Sequence, residues 1–394
     1  MKKVVIFGAG QIGRGFLGEI CAAEGYSLVF VDVVPELVHR LNQEKSYPLW
    51  ILGEKKEEKE ITNLRAILLS EKESVVQELL EVSLVFTAVG ADNLTLLGPV
   101  LAEGISKKAR RQPDSFLNIV ICENLLDAGQ FLNQIIQKNL PAFAHNYLKN
   151  NVGLVETVVS RMVAPLTEEK RKIHPLLVTV EPYNILPVSR PSFKGEIPSL
   201  KSFYLVEKIL PYEQLKLFGH NLTHAAAAYL GWRKNLTFIW EAMEDEQIRS
   251  TVSRVRKEAG QALAEEHHFP GEEMENYFTD LFHRFQNRLL GDTVVRVGRD
   301  PLRKLGPGER IVGAIKLCLK HGIFPEAICL VAAACLCYNE KSDSQAVKLQ
   351  SQLHDQGIEY VLSQHCQLPS GPVRERIKIA YEVYKNESRN SERY

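Results

Sequence analysis

Lys216, Asn221 and His224 share one helix-forming run, Glu213 to Gly231, at spacings of five and three residues. On an α-helix, at roughly 100° per residue, Asn221 stands about 140° and His224 about 80° from Lys216, on the same side. Glu213 precedes the lysine by three residues and joins that face. An alcohol undergoing oxidation must give its hydroxyl proton to a base while hydride leaves its carbon. Lysine can be that base when burial or a nearby cation brings its pKa toward neutrality. An amide and an imidazole can hold the reacting oxygen, supplying part of what a zinc ion supplies elsewhere. The same spacing also suits two surface residues beside a hydrogen-bonded core histidine.

A hydride needs an acceptor, and the N-terminus offers a place for one. Phe7-Gly8-Ala9-Gly10-Gln11-Ile12-Gly13 is a GxGxxG that follows an apolar run and opens a helical pattern. Gly8 suits the tight turn, Gly10 admits a pyrophosphate to the backbone, and Gly13 permits close helix–sheet packing. Amides at that helix start, Gln11 and Ile12 among them, attract phosphate. Asp32 ends the next apolar run, 19 residues after Gly13. A carboxylate there accepts hydrogen bonds from ribose hydroxyls and repels a 2′-phosphate, while Val33 and Val34 provide no arginine to receive one. NAD is the expected cofactor, in preference to NADP.

The elements needed to position these groups can be traced along the chain. Val4–Phe7, Ser27–Val31, Leu84–Val89 and Asn118–Cys122 are continuous apolar runs, as in a parallel sheet covered on both faces. Ile12–Ala23 and Pro35–Glu44 carry helical periodicity between them, so right-handed crossovers and an α/β, Rossmann-type doubly wound sheet domain are expected. Glu54–Glu60 is a charged turn or hairpin, and Leu177–Glu181 a late strand. Four prolines between Pro182 and Pro198 exclude a helix or central strand and put the domain junction near there, giving domains 1–190 and 191–394. The second domain should be all-helical, with helices over Pro211–Trp232, Glu241–His267, Gly271–Gly291, Ile311–His321, Pro325–Tyr338 and Ser344–Ser363, and a frayed tail from Lys385 to Tyr394.

Composition limits the alternatives. In 394 residues, 48 basic side chains balance 48 acidic ones, which argues against a nucleic-acid or anionic-membrane surface. The longest apolar run, Ala327–Cys337, is about half of what a bilayer requires. Seven cysteines without a CxxC pair or zinc spacing suggest reduced thiols in a cytoplasmic protein. No metal site is expected: Glu265-Glu-His-His268 lacks the i, i+4 histidine pair of a helical zinc site. Nothing advertises an interface, so a monomer or weak oligomer is expected.

The segments Phe7-Gly-Ala-Gly-Gln-Ile-Gly-Arg-Gly-Phe16, Cys122-Glu-Asn-Leu125, Lys216-x4-Asn221-x2-His224 and Val297-Gly-Arg-Asp-Pro-Leu-Arg-Lys-Leu305 resemble the polyol-specific long-chain dehydrogenases, over nearly the whole chain. The resemblance implies a metal-independent, NAD-linked interconversion of mannitol 1-phosphate and fructose 6-phosphate. It makes Lys216 the general base, or the acid in reverse, with Asn221, His224 and, from the sheet domain, Asn124 holding the reacting oxygen. Asn124 also sits just past a predicted strand's carboxyl end, where doubly wound sheets bind ligands. A phosphorylated substrate requires cationic donors. Arg299, Arg303 and Lys304 are the expected ones, Lys194 a weaker one, although a charge run is by default a solvated face. Ser160 stands where many members of the family carry an aspartate, and Glu213 is similar to the non-phosphorylated branch. A free hexitol dehydrogenase or hexuronate reductase therefore stays open, as does, more remotely, a non-catalytic NAD sensor.

Overall fold

The computed structural model describes residues 2–165 and 167–391, and its chain divides into two compact units, Met1–Glu213 and Gln214–Tyr394. The first unit carries eleven strands among its described residues: β1 (Lys3–Phe7), β2 (Ser27–Asp32), β3 (Tyr47–Leu52), β4 (Lys56–Ile61), β5 (Leu64–Leu68), β6 (Leu84–Thr87), β7 (Leu117–Ile121), β8 (Val152–Glu156), β9 (Val178–Val180), β10 (Leu186–Ser189) and β11 (Phe203–Val206). Six form a wholly parallel sheet in the order β5-β2-β1-β6-β7-β8. Alternate residues of its central strands feed two separate cores. Val4, Ile6, Leu28 and Phe30 enter one, together with Phe16, Leu17 and Tyr47. Val5, Phe7, Val29 and Val31 enter the other, against the helices Lys72–Glu81, Gly98–Arg111 and Ala128–Asn139. Burial on both faces explains why these strands read as unbroken apolar runs. This is the doubly wound architecture.

The charged stretch is the second arm of a hairpin. Its strand β4 pairs antiparallel with β3, which pairs parallel with β9, the expected late strand. The proline-rich segment differs from expectation. Proline cannot donate to a ladder, yet it is tolerated on an edge. Pro187 lies within β10, which pairs parallel with β11 in a two-stranded sheet, and Val188 bridges to Thr157 beyond β8. The buried amide of Asn118 on β7 clamps the following loop, donating to the Lys194 carbonyl at 3.0 Å and accepting its N–H at 2.8 Å. The segment thus belongs to the first unit, and the division falls between Glu213 and Gln214, beyond the junction expected at 190/191.

The second unit is helical. The apolar helix Glu326–Cys337 is buried along most of its length and packs on Leu222–Arg233, Glu246–His267 and Pro372–Ser391. The helix expected over Glu241–His267 is broken at Asp245, whose Oδ1 accepts the Gln247 and Ile248 N–H groups at 3.0 Å and starts a new helix. The helix expected to reach Gly291 stops at Phe285. The expected fraying from Lys385 is not seen as far as Ser391: helix Pro372–Ser391 is anchored by buried Val373, Ile377, Ala380 and Tyr381, and residues 392–394 lie outside the described residues. No helix among the described residues is long and apolar enough to cross a membrane.

Candidate active site

In the sheet unit, the glycine loop leaves β1 at the point where strand order reverses, with β2 on one side and β6 on the other. Gly8 has φ +93°, and a β-carbon there would lie 2.3 Å from the Ala88 carbonyl oxygen. At Gly13 a β-carbon would sit 1.8 Å from the Gly8 oxygen, so only hydrogen fits. Gly10, by contrast, has no atom within 4 Å of that position. Two glycines are therefore demanded by packing, and the third leaves its backbone open to a ligand. Buried Arg14 holds the loop from below, its Nε donating to the Ala9 carbonyl at 2.6 Å. The helix behind it opens as a π-helix, Gly13–Gly18.

Asp32 turns its carboxylate onto this loop: Oδ2 accepts the Ala9 N–H at 2.6 Å and Oδ1 the Val34 N–H at 3.0 Å. With Gly8, Gly10, Val33, Ala88 and Val89 it lines one cavity. Exposed apolar Val33 and Leu96 flank an adjoining hollow with Leu68 and Pro99, a suitable bed for a flat ring. The Gln11 Oε1 is buried with no hydrogen-bond partner among the described residues. An open glycine, an orphaned acceptor, a carboxylate at the end of β2 and an apolar slot together fit a dinucleotide.

Asn124 is exposed in the loop just past β7, at the carboxyl edge of the sheet. Its buried neighbour Glu123 braces the opposite loop, accepting the Val89 and Gly90 N–H groups at 2.9 and 2.8 Å. Burial pushes the Glu123 pKa up, against the pull of these bonds. Lys194 is held in place by its backbone, as described above, and is half-buried.

In the helical unit, Lys216, Asn221 and His224 belong to one continuous helix whose middle, Leu215–Asn221, is π-helical. All three are half-buried, whereas Leu215, Phe218, Gly219, His220, Leu222 and Thr223 are buried, so one face meets the core and the trio does not. The Thr223 hydroxyl donates to the Gly219 and His220 carbonyls, at 2.7 and 3.1 Å, where the winding reverts to α. The His224 ring stacks on Phe285 at 4.6 Å between centroids, with an interplanar angle of 15°. Its Nε2 lies 3.0 Å from Oδ2 of Asp292. Buried His220 is kept neutral: burial drives its pKa well below the usual value, aided by the nearby cationic groups of Arg284, Lys216 and Arg310.

The basic stretch does not present a uniform cationic face. Arg299 is exposed. Arg303 is paired with Asp300 at 2.6 Å and Glu309 at 3.4 Å. Lys304 is buried and donates to the carbonyl of Arg299. Burial, then the charges of Arg310 and Arg303, lower its pKa to about 7. No group of three or more His, Cys, Asp or Glu side chains able to hold a metal ion occurs among the described residues.

Two family models match this chain in sequence: the mannitol dehydrogenase Rossmann domain over residues 2–202 and the mannitol dehydrogenase C-terminal domain over residues 208–382. The chain belongs to the mannitol dehydrogenase family. It is 36% identical, over 92% of both lengths, to the mannitol-1-phosphate 5-dehydrogenase of Thermoanaerobacter pseudethanolicus. To the enzyme of that name from Geobacillus thermodenitrificans it is 33% identical, over 98% of this chain and all of that one. Its fold is similar to that of Pseudomonas fluorescens mannitol 2-dehydrogenase, solved with NAD and D-mannitol (TM-score 0.76, 19% identity, 99% of this chain and 92% of that one). It is also similar to a D-sorbitol dehydrogenase in substrate-free form (TM-score 0.81, 14% identity, 98% and 93%).

In this mannitol dehydrogenase family member, sequence reasoning missed three residues around the expected ones: Glu123, His220 and Asp292. Asp292 could have been noticed as the acidic partner of Arg296 at i, i+4. His220 and Glu123 carry no such signal, since their importance lies in burial.

Proposed function

We propose that this chain is a metal-independent, NAD-dependent oxidoreductase that interconverts mannitol 1-phosphate and fructose 6-phosphate. The observation that carries the reading is identity of 33–36% to mannitol-1-phosphate 5-dehydrogenases across more than nine-tenths of both lengths. Lys216, Asn221 and His224 on one accessible helix face supply chemistry to match. Gly8, Gly10 and Gly13 shape the cofactor's turn, with Gln11 and Ile12 at the helix start and Asp32 on the ribose. When bound, NAD supplies the hydride acceptor.

In the oxidative direction the Lys216 amine accepts the proton from the substrate hydroxyl; in the reductive direction its ammonium returns one. Asn221 and Asn124 donate amide N–H groups to the reacting oxygen, and the His224 imidazole orients the substrate beside it. Arg299 is exposed, which favours it among the phosphate candidates. Arg303 would have to share its charge with Asp300 and Glu309, and Lys304 is turned inward.

The test is a substrate panel with NAD(H): mannitol 1-phosphate, mannitol, fructuronate and tagaturonate, with fructose 6-phosphate in reverse. Mannitol 1-phosphate should give the highest kcat/KM by a wide margin. Preference for mannitol or a hexuronate would overturn the substrate assignment and leave the reaction class standing. Incubation with a chelator should leave turnover unchanged.

A further inference from the structure

The His224 Nε2 and the Asp292 Oδ2 are both buried and lie 3.0 Å apart, an ion-pair contact, and neither atom makes a hydrogen bond among the described residues. Two buried polar atoms so placed must satisfy each other, since leaving either bare would cost about 1–3 kcal/mol. The aspartate has no freedom to turn away. Its backbone carbonyl accepts the Ile239 N–H at 2.9 Å, and the next residues are tied to Thr237 and Phe238. Its other oxygen, Oδ1, is held by Arg296, from Nε at 2.7 Å and Nη2 at 2.6 Å. The imidazole is fixed as firmly, stacked on Phe285 with buried His220 beside it at 5.8 Å between ring centroids.

We infer that Asp292 is a positioning residue that sets the tautomer of His224: Nε2 carries a proton and points it at Asp292, so that whenever the ring is neutral Nδ1 is the acceptor. A carboxylate offers only lone pairs, so the ring nitrogen facing it must be the protonated one. Asp292 stays ionised: burial raises its pKa, but the bonds from His224 and Arg296 outweigh that and hold it below the usual carboxylate range. The cationic groups Arg284, Arg310 and Lys216 act on neighbouring His220 and leave that ring neutral. A hydroxyl meeting His224 through Nδ1 therefore donates to it. The reacting hydroxyl has a single proton, which Lys216 takes in the oxidative direction, so the hydroxyl that Nδ1 orients is a neighbouring one on the polyol, while amide and ammonium groups hold the reacting oxygen. The mechanistic part rests on the function proposed above; the tautomer does not.

Asp292→Asn provides the test. Arg296 can only donate, so the oxygen of the introduced amide must take the place of Oδ1 and its NH2 must face His224. The ring must then accept at Nε2 and move its proton to Nδ1. Long-range ¹H–¹⁵N NMR of the wild-type apoprotein at neutral pH should show His224 protonated at Nε2, and the variant should show the reversed pattern. Turnover of mannitol 1-phosphate should fall by about 10²-fold, mainly in kcat, with NADH affinity retained. Asp292→Glu, which keeps the carboxylate, should recover the wild-type ring pattern. A wild-type ring protonated at Nδ1 overturns the inference even if no variant folds, and so does an unchanged pattern in folded Asp292→Asn. Unchanged turnover in His224→Ala instead removes His224 from the chemistry, and the ring signals still decide the tautomer.

Discussion

Lys216 and Asn221 are five residues apart on a π-helical stretch, so the asparagine stands nearer to the lysine round the helix than α-winding would place it. The wider π-turn, closed by i→i+5 hydrogen bonds, narrows the separation of about 140° that α-geometry would give the pair. The cost of that winding is offset locally. Thr223 satisfies carbonyls where the helix returns to α, and Gly219 lets the rings of Tyr277 and Phe278 come within 3.3–3.4 Å of where its β-carbon would be.

Lys216→Ala removes the proposed proton acceptor and little of the core. We expect kcat to fall by about 10²–10⁴-fold, while fluorescence titration with NADH gives an unchanged Kd. Retention of near-normal kcat would take the lysine out of the mechanism.

Gly10→Ala and Gly13→Ala should behave differently, although both belong to one motif. The Gly13 β-carbon would collide with the Gly8 carbonyl at 1.8 Å. Thermal unfolding should therefore show a loss of about 1–3 kcal/mol or more. Gly10→Ala meets no protein atom. Its melting temperature should be unchanged and its NADH affinity reduced at least tenfold. Normal NADH binding by Gly10→Ala would mean that the pyrophosphate lies elsewhere.

Asp32→Ala removes the acceptor of the Ala9 and Val34 N–H groups as well as the charge facing a ribose. Charge-assisted bonds of this kind contribute about 1.5–3 kcal/mol, so NADH should bind about 10- to 100-fold more weakly. The ratio of NADPH to NADH affinity should rise, because the carboxylate no longer repels a 2′-phosphate. An unmoved ratio would show that discrimination does not depend on Asp32.

Lys304 should make stability depend on pH. Its pKa falls from 10.5 to about 7 in the folded protein, chiefly through burial. Above pH 7 the unfolded chain keeps a proton that the folded chain has lost, so stability rises with pH, by up to about 1.4 kcal/mol per unit. Neutral, buried His220 has the same sign but acts lower, where the unfolded imidazole is charged. Buried thiols such as Cys21 and Cys335, raised by burial, have the opposite sign and act above about pH 8.5. Urea unfolding between pH 7 and about 8.5 isolates the lysine. Lys304→Met should flatten the rise seen in the wild type; an equal slope in both would place the titration elsewhere.

Short-range pattern was enough to read the four central strands of the parallel sheet, the late strand β9, the glycine turn and the polarity of the trio's helix, but not β3, β5, β8, β10 or β11. Burial on both faces writes itself as unbroken apolar runs, and a left-handed turn at Gly8 needs a residue without a β-carbon. The proline-rich segment misled because proline forbids a helix locally but says nothing about which unit holds an edge strand. The tail helix was missed because its anchoring partner, Glu326–Cys337, is distant in sequence.

Three features of the candidate site belong to tertiary structure alone. The π-winding between Lys216 and Asn221, the meeting of His224 with Asp292, and the burial of Lys304 are set by packing, not by local pattern. Local propensity carries no information about what will pack against a helix face or which carbonyl an amine will find. The residue types were legible because chemistry restricts them; their alignment was not, because close packing among distant segments decides it.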